Sequence, residues 1–155
     1  MIQEKDIIQL IINRALEEDL NETGDITSQA IFDEEKKRNA VIKSKEKGVL
    51  SGTYLIESIF KKIDNNIIID LIKTDGDIIE KGMEICYING TVRGILAGER
   101  TVLNFLQHLS GIATHTAHLA SLIKHTHTKL LDTRKTTPTL RILEKKAVLA
   151  GGGHN

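Results

Sequence analysis

The apolar positions between residues 3 and 18 recur at helical spacing, at Ile7, Ile8, Ile11, Ile12, Ala15 and Leu16. This spacing predicts an amphipathic helix, and the polar residues 21–25 predict the turn that follows it. A second stripe of the same kind covers residues 55–63, and Asp64 with the two asparagines after it predicts the end of that helix. The sequence therefore predicts two early helices, each with one apolar face.

Short stretches of strand-like sequence lie between and after these helices. Four segments predict strands: residues 40–50, 67–73, 84–88 and 91–96. The Asn89-Gly90 pair predicts a tight hairpin between the last two of them. Because short strands at hairpin spacing form antiparallel sheets, residues 1–96 are predicted to be one α/β sandwich domain with helices on one face of its sheet.

The pattern changes at residue 97. A helical stripe of leucine and isoleucine covers residues 103–112, a Ser-Gly pair at 110–111 predicts a break, and the helical pattern then resumes. The apolar run 129–131 predicts a buried strand, and residues 139–149 predict a helix. A strand followed by a helix is the opening of a parallel α/β domain, which one strand cannot complete. The predicted fold class is therefore α+β, with an incomplete second domain.

The composition is that of a soluble globular protein. The chain has 155 residues, of which 40% are hydrophobic, and no apolar stretch approaches the ~20 residues that span a bilayer. The first residues carry charges of both signs and lack the apolar core of a secretion signal. The single cysteine, Cys86, excludes an internal disulfide, and its strand-like surroundings predict a packed thiol. We therefore expect a cytoplasmic protein with no membrane partner.

The net charge of zero conceals a division along the chain. Residues 1–90 contain 12 Lys and Arg against 18 Asp and Glu, whereas residues 91–155 contain nine against three. A cationic half indicates an anionic partner. Nucleic acid is disfavoured as that partner, because only 3% of residues are aromatic and no Trp is present for stacking on bases. Small anions are the better prediction.

The cations that could bind such anions follow the predicted strand 129–131. Arg134 offers a planar fork for a carboxylate or phosphate, Lys135 offers a compact charge, and the neighbouring threonines add hydroxyl donors. A basic loop that merely ends a strand fits the same residues. Pro138 at the first position of a helix, with Thr137 as its cap, would be a structural feature without a function.

Three further features carry less information by themselves. The run 151–153 of three glycines fits either a backbone nest for phosphate or a linker or tag. Arg100, beside Glu99 near the start of a helix, fits a surface residue. Histidines 108, 115, 118 and 125 lie near one helical face, but no carboxylate or cysteine accompanies them, and a solvated helix flank explains them better than a metal site does.

Five sequence blocks together resemble the quinolinate phosphoribosyltransferase family, also described as carboxylating nicotinate-nucleotide pyrophosphorylase. They are ERTVLNFLQ at 99–107, LSGIAT at 109–114, LDTRKTTP at 131–138, EKKAV at 144–148 and GGG at 151–153. A weaker likeness reaches back to residues 15–19 and 24–27, so the resemblance spans nearly the whole chain.

The resemblance implies an N-terminal α/β sandwich followed by an unusual α/β barrel. Residues 97–155 would then be linking helices and the first strand–helix unit of that barrel, which is incomplete in this chain. The resemblance also implies a homodimer whose active sites are shared between subunits, with a higher oligomer as a further possibility. Its reaction joins quinolinate to phosphoribosyl pyrophosphate with Mg²⁺, and yields nicotinate mononucleotide, CO₂ and pyrophosphate for NAD synthesis.

The same resemblance assigns roles to four residues of this chain. Arg134 would clamp a quinolinate carboxylate with Thr133 beside it. Lys135 would be the catalytic residue near the reacting centre and would also bind the anionic substrates. Arg100 would reach across the dimer into the neighbouring active site. The family's metal-managing carboxylates have no counterpart in this chain, so no metal ligand is assigned.

This sequence departs from the family pattern at two places. Thr139 stands where the family usually has Gly, and the His-Arg pair that follows the family's glycine-rich segment is absent, as is the later part of the barrel. We therefore expect the 155-residue polypeptide alone to be catalytically inert. Two alternatives stay open: a phosphoribosyltransferase of the same fold with another substrate, such as the homologue of molybdenum-transport operons, and a non-catalytic dimerisation module.

Overall fold

Helices and short strands alternate in the first half of the protein, and helices dominate the second. The computed structural model describes residues 3–155; Met1 and Ile2, which the predicted first domain includes, lie outside the described residues. The elements in chain order are α1 (Glu4–Leu20), α2 (Ile26–Ile31), β1 (Lys37–Lys43), β2 (Gly48–Val49), α3 (Thr53–Ile63), β3 (Ile68–Leu71), β4 (Ile78–Ile79), β5 (Glu84–Thr91), α4 (Val92–Ile123) and α5 (Arg141–Ala150). The predicted helices α1 and α3 are confirmed.

The strands form two antiparallel sheets. The larger has the order β1-β5-β3, and β2 pairs with β4 in the smaller. Along β5 the side chains alternate, so that Cys86 and Ile88 are buried whereas Tyr87 between them is 44% exposed. Burial raises the pKa of the Cys86 thiol to about 11. The predicted α+β class and the packed thiol are thus confirmed.

The core lies where α3 and α4 pack against the larger sheet and α1 packs on both of these helices. Its fully buried members include Ile12, Leu50, Leu55, Ile56, Ile59, Phe60, Ile67 and Leu109. Burial of one side chain of this size contributes about 1.5–3 kcal/mol. Leu143 and Ala147 of α5 belong to the same cluster, so the last helix packs onto the same core as the sandwich.

Two expectations around β5 were wrong. Asn89 and Gly90 lie inside β5 instead of in a hairpin, and residues 91–96 end that strand and begin α4. A Cβ at Gly90 would lie 2.6 Å from Cγ1 of Ile67, so the glycine permits close contact within the sheet. Thr91 caps α4 by accepting a hydrogen bond from the Gly94 amide at 3.1 Å. The predicted domain boundary after residue 96 therefore falls within a helix.

The break expected at Ser110 and Gly111 is also absent, because α4 runs through both residues without interruption. The Ser110 hydroxyl accepts a hydrogen bond from the Ser51 amide at 3.0 Å. One turn later, the Thr114 hydroxyl accepts one from the Val49 amide at 2.9 Å. These polar residues supply acceptors to the chain around β2, which explains their place within the helix. Among residues 3–155, no helix combines the length and apolarity required to cross a membrane.

The prediction that checks this packing compares two glycines of α4. A Cβ at Gly98 would lie 2.5 Å from Cε1 of Phe60, whereas a Cβ at Gly111 would meet nothing within 4 Å. We expect Gly98→Ala to lower the free energy of unfolding by about 1–3 kcal/mol through overpacking. Gly111→Ala should raise it by up to about 1 kcal/mol through helix propensity. Urea unfolding followed by circular dichroism measures both, and effects of the same sign would contradict the close approach of α3 and α4.

Candidate anion-binding site

The predicted cations lie in an exposed segment between α4 and α5. Thr133, Arg134 and Lys135 are all exposed, and the Thr133 hydroxyl accepts a hydrogen bond from the Lys135 amide at 3.1 Å. Within the described part of the chain, neither Arg134 nor Lys135 makes an ion pair. Both side chains are therefore available to an anionic ligand.

The prediction of a buried strand before this segment was wrong. Leu131 forms one isolated parallel bridge with His154 and is 64% exposed. The bridge consists of hydrogen bonds from the Asp132 amide to the His154 carbonyl and from the His154 amide to the Leu130 carbonyl, each at 2.9 Å. A single bridge covers neither face of the chain at this point, so the apolar run stays largely in solvent.

One face of α5 holds the backbone of the cationic segment. The Arg141 guanidinium donates to the Arg134 carbonyl and to the Thr136 hydroxyl, both at 3.2 Å. Lys145, one turn further along α5, forms an ion pair with Asp132. Residues three and four positions apart lie on the same side of a helix. The helix therefore fixes the segment from Asp132 to Thr136 without using the side chain of Arg134 or Lys135.

Glu144, on the same face of α5, adds a buried carboxylate. Its Oε2 accepts a hydrogen bond from the Thr137 amide at 3.2 Å, and its Oε1 lies 2.9 Å from Nε2 of His108 on α4. Burial raises the pKa of Glu144, but the hydrogen bonds from Thr137 and His108 outweigh this effect and leave the pKa below its ordinary value. The residue is therefore charged at neutral pH and has a partner for each oxygen.

The sequence analysis missed these α5 contacts. Arg141, Glu144 and Lys145 stand at positions i, i+3 and i+4, which is the one signal that could have found them. What they bind could not be read from the sequence, because their partners include a backbone carbonyl and a backbone amide.

The turn that leads into α5 also differs from expectation. The helix begins at Arg141 with Leu140 as its N-cap, so Pro138 is not its first residue and Thr137 is not its cap. Thr139 has a φ of 71°, in the left-handed region that a β-branched residue adopts only with strain. The glycine that the resembled family usually has here would adopt this backbone without that strain.

The glycine run after α5 is packed and is not a free tail. Gly151 and Gly153 are buried. A Cβ at Gly151 would collide with the Ala113 carbonyl of α4, and one at Gly153 would lie 2.7 Å from Cγ1 of Val148. This packing argues against the linker or tag interpretation and shows why only glycine fits beside α4.

Arg100 lies apart from the segment on α4. Its Nη1 donates to Oδ1 of Asp19 at 2.8 Å, and its side chain is 74% exposed while that of Asp19 is 18% exposed. The residue lines a cavity of about 170 Å³ with Asp25 and Ile26. A larger cavity of about 300 Å³ is lined by Asp19, Thr101, Asn104 and His108, among others. Thr133, Arg134 and Lys135 line neither cavity, so these two cavities do not unite the four predicted substrate-binding residues.

A metal centre finds no support in the described residues. No three His, Cys, Asp or Glu side chains between residues 3 and 155 lie close enough to hold an ion. His108 instead contacts Glu144, and His115, His118 and His125 are exposed. Because Mg²⁺ commonly takes only one or two carboxylates together with substrate phosphates, this absence concerns a preformed site made by the protein alone.

Comparisons with known proteins show which proteins this chain resembles. Residues 25–110 match the family model described as quinolinate phosphoribosyl transferase, N-terminal domain, and residues 112–155 match the corresponding C-terminal domain. A probable nicotinate-nucleotide pyrophosphorylase (carboxylating) of Bacillus subtilis is 44% identical over 96% of this chain and 50% of its own length. A chloroplastic enzyme of that name from rice is 39% identical over 96% of this chain and 39% of its own length.

Solved structures show the same likeness. NadC from Streptococcus pyogenes superposes with a TM-score of 0.91 at 40% identity, over 96% of this chain and 53% of that one. The nicotinate-nucleotide pyrophosphorylase of Francisella tularensis superposes with a TM-score of 0.92 at 40% identity, over 99% of this chain and 55% of that one. The chain thus spans about half the length of the relatives it matches.

The strained turn beside the segment yields a prediction. Thr139→Gly should raise the free energy of unfolding by about 0.5–1 kcal/mol, because relief of the left-handed strain, about 1–2 kcal/mol, exceeds the entropy cost of glycine, about 0.5–1 kcal/mol. Thr128→Gly is the matched control, since Thr128 is an exposed threonine without a positive φ. Thermal unfolding measures both variants. Destabilisation of the two to the same extent would contradict the strain at Thr139.

Proposed function

This chain belongs to the quinolinate phosphoribosyltransferase family, and we propose that it serves the transfer of phosphoribosyl from phosphoribosyl pyrophosphate to quinolinate with loss of CO₂. One observation carries the proposal. Arg134 and Lys135 are exposed and unpaired within residues 3–155, while α5 holds the segment that carries them. Quinolinate is a dicarboxylate and its cosubstrate is a polyanion. A guanidinium and an ammonium group held in place are therefore suited to bind them.

The proposed roles follow from the two kinds of cation. The planar guanidinium of Arg134 would bind a quinolinate carboxylate with two parallel hydrogen bonds. Thr133 would lie beside that carboxylate. Lys135 would be the catalytic residue, a point charge beside the reacting centre. The low aromatic content and the absence of Trp support small anions over nucleic acid as partners.

The proposed chemistry needs orientation and charge stabilisation more than a nucleophile from the protein. The pyridine nitrogen bonds to the ribose anomeric carbon as the bond to pyrophosphate breaks, through an oxocarbenium-like centre. The carboxylate next to the resulting pyridinium then leaves as CO₂, its electron pair remains on the ring carbon, and a proton from solvent replaces it. Mg²⁺ is expected to accompany phosphoribosyl pyrophosphate, and no step here depends on a metal ligand of this chain.

The assay that tests this function compares residues 1–155 alone with a polypeptide that carries the whole barrel. We expect quinolinate-dependent release of pyrophosphate from the longer polypeptide and none from residues 1–155 alone. In the longer polypeptide, Arg134→Ala should lower kcat/KM for quinolinate by about a hundredfold, since it removes a charge-assisted contact. Lys124→Ala, an exposed cation at the end of α4, is the control and should leave turnover unchanged. Turnover of neither quinolinate nor nicotinate would favour a relative with another substrate. Unchanged turnover in Arg134→Ala would contradict the role of that residue.

We further propose that two copies associate and that Arg100 enters the active site of the other copy. The support is the surface around it: Ile26 and Leu96 line the same cavity as Arg100 and are 64% and 38% exposed. Apolar surface beside an exposed guanidinium is typical of an interface. A cytoplasmic location is proposed from the unpaired Cys86.

Sedimentation velocity tests the proposed association. Ile26→Glu should shift the protein towards the monomer at micromolar concentration, because a carboxylate would have to be desolvated in the interface. Ile78→Glu is the matched control, since Ile78 is 66% exposed on β4 and does not line that cavity. A monomeric parent protein, or the same shift in both variants, would contradict the proposed interface.

A further inference from the structure

We propose that Glu144 is a positioning residue, which sets the place of the anion-binding segment by joining the Thr137 amide to His108. The identity of the bound anion rests on the proposed function, whereas the positioning role rests on the contacts of Glu144 alone. Nothing in this role requires Glu144 to touch a substrate.

The two oxygens of Glu144 have separate partners on two different elements. Oε2 accepts from the Thr137 amide at 3.2 Å, at the end of the segment that carries Arg134 and Lys135. Oε1 lies 2.9 Å from Nε2 of His108, near the middle of α4. An ionised carboxylate only accepts hydrogen bonds, so Nε2 of His108 carries the proton. The segment is therefore tied to α4 through one buried side chain.

The other contacts of the segment do not replace this tie. Arg141 and Lys145 also hold the segment, but neither of these side chains bonds to a residue of α4. Glu144 is the member of this group that also reaches α4. Its side chain is only 11% exposed, so water competes weakly for its hydrogen bonds.

Loss of the carboxylate should leave α5 folded. Leu143 and Ala147 of the same helix are fully buried in the core. This apolar anchoring is independent of Glu144. The effect of Glu144 on the segment can therefore be measured in a folded protein.

The experiment compares three variants of the chain by NMR. Glu144→Ala removes both hydrogen bonds. Glu144→Gln is the conservative variant, because its carbonyl oxygen can accept from the Thr137 amide while its NH₂ group donates to the other tautomer of His108. Lys146→Ala is the matched control, since Lys146 is the neighbour of this face on α5 and pairs with Glu4 of α1 at 2.6 Å.

Two readouts are measured: hydrogen exchange of the Thr137 amide, and chemical-shift titration of residues 133–137 with quinolinate and with inorganic pyrophosphate. Glu144→Ala should speed exchange at Thr137 about tenfold or more and weaken the binding of either anion several-fold. Glu144→Gln should restore both to within about threefold of the parent chain. Lys146→Ala should change neither, even where it lowers the melting temperature.

Each outcome decides between the two claims. If the parent chain binds neither anion while Glu144→Ala still speeds exchange at Thr137, the positioning role stands and anion binding by this chain fails. If Glu144→Ala matches Lys146→Ala in both readouts, the positioning role is wrong whatever the chain binds. A failure of Glu144→Gln to restore exchange in a folded protein would also overturn the proposal, because the hydrogen bonds would then not be the cause.

Discussion

The close packing of α4 against α3 is the constraint on which the rest of the structure depends. At Gly98 the backbone of α4 lies against the ring of Phe60, with no room for a methyl group between them. The same helix provides Ser110 and Thr114 to the chain around β2, and His108 to the buried carboxylate of α5. Because α4 is one unbroken helix of 32 residues, the position of the sandwich fixes the position of the anion-binding segment.

The parts of the fold that could be predicted are those in which the local pattern and the packing agree. The stripes of α1 and α3 face the core that their spacing predicts. The errors arose where a strong local signal met a stronger tertiary contact. Asn89 and Gly90 carry the sequence of a hairpin turn, yet Gly90 packs on Ile67 inside a strand. Ser110 carries the sequence of a helix break, yet its hydroxyl has a partner outside the helix.

The candidate site likewise has parts that could be predicted from the sequence and parts that could not. Thr133, Arg134 and Lys135 lie on one exposed segment, and the sequence could single them out because charge and spacing are visible in the residues themselves. Their roles, and that of Arg100, stay predictions. The contacts that support them were not visible in the sequence, since Arg141 and Glu144 contact a backbone carbonyl and a backbone amide, which all residue types except proline possess. A sequence pattern indicates which side chains could bind a ligand more readily than it indicates the contacts that position them.

The contacts between α5 and the backbone of the anion-binding segment have an evolutionary consequence. Side chains of α5 form hydrogen bonds with the carbonyl of residue 134 and the amide of residue 137. The conformation of the segment therefore does not depend on which side chains stand at positions 134 and 135. Mutations there can change the ligand while they leave the path of the chain intact. A scaffold of this kind lets descendants of one ancestor acquire new substrates with little loss of stability, as long as Arg141, Glu144 and Lys145 are retained.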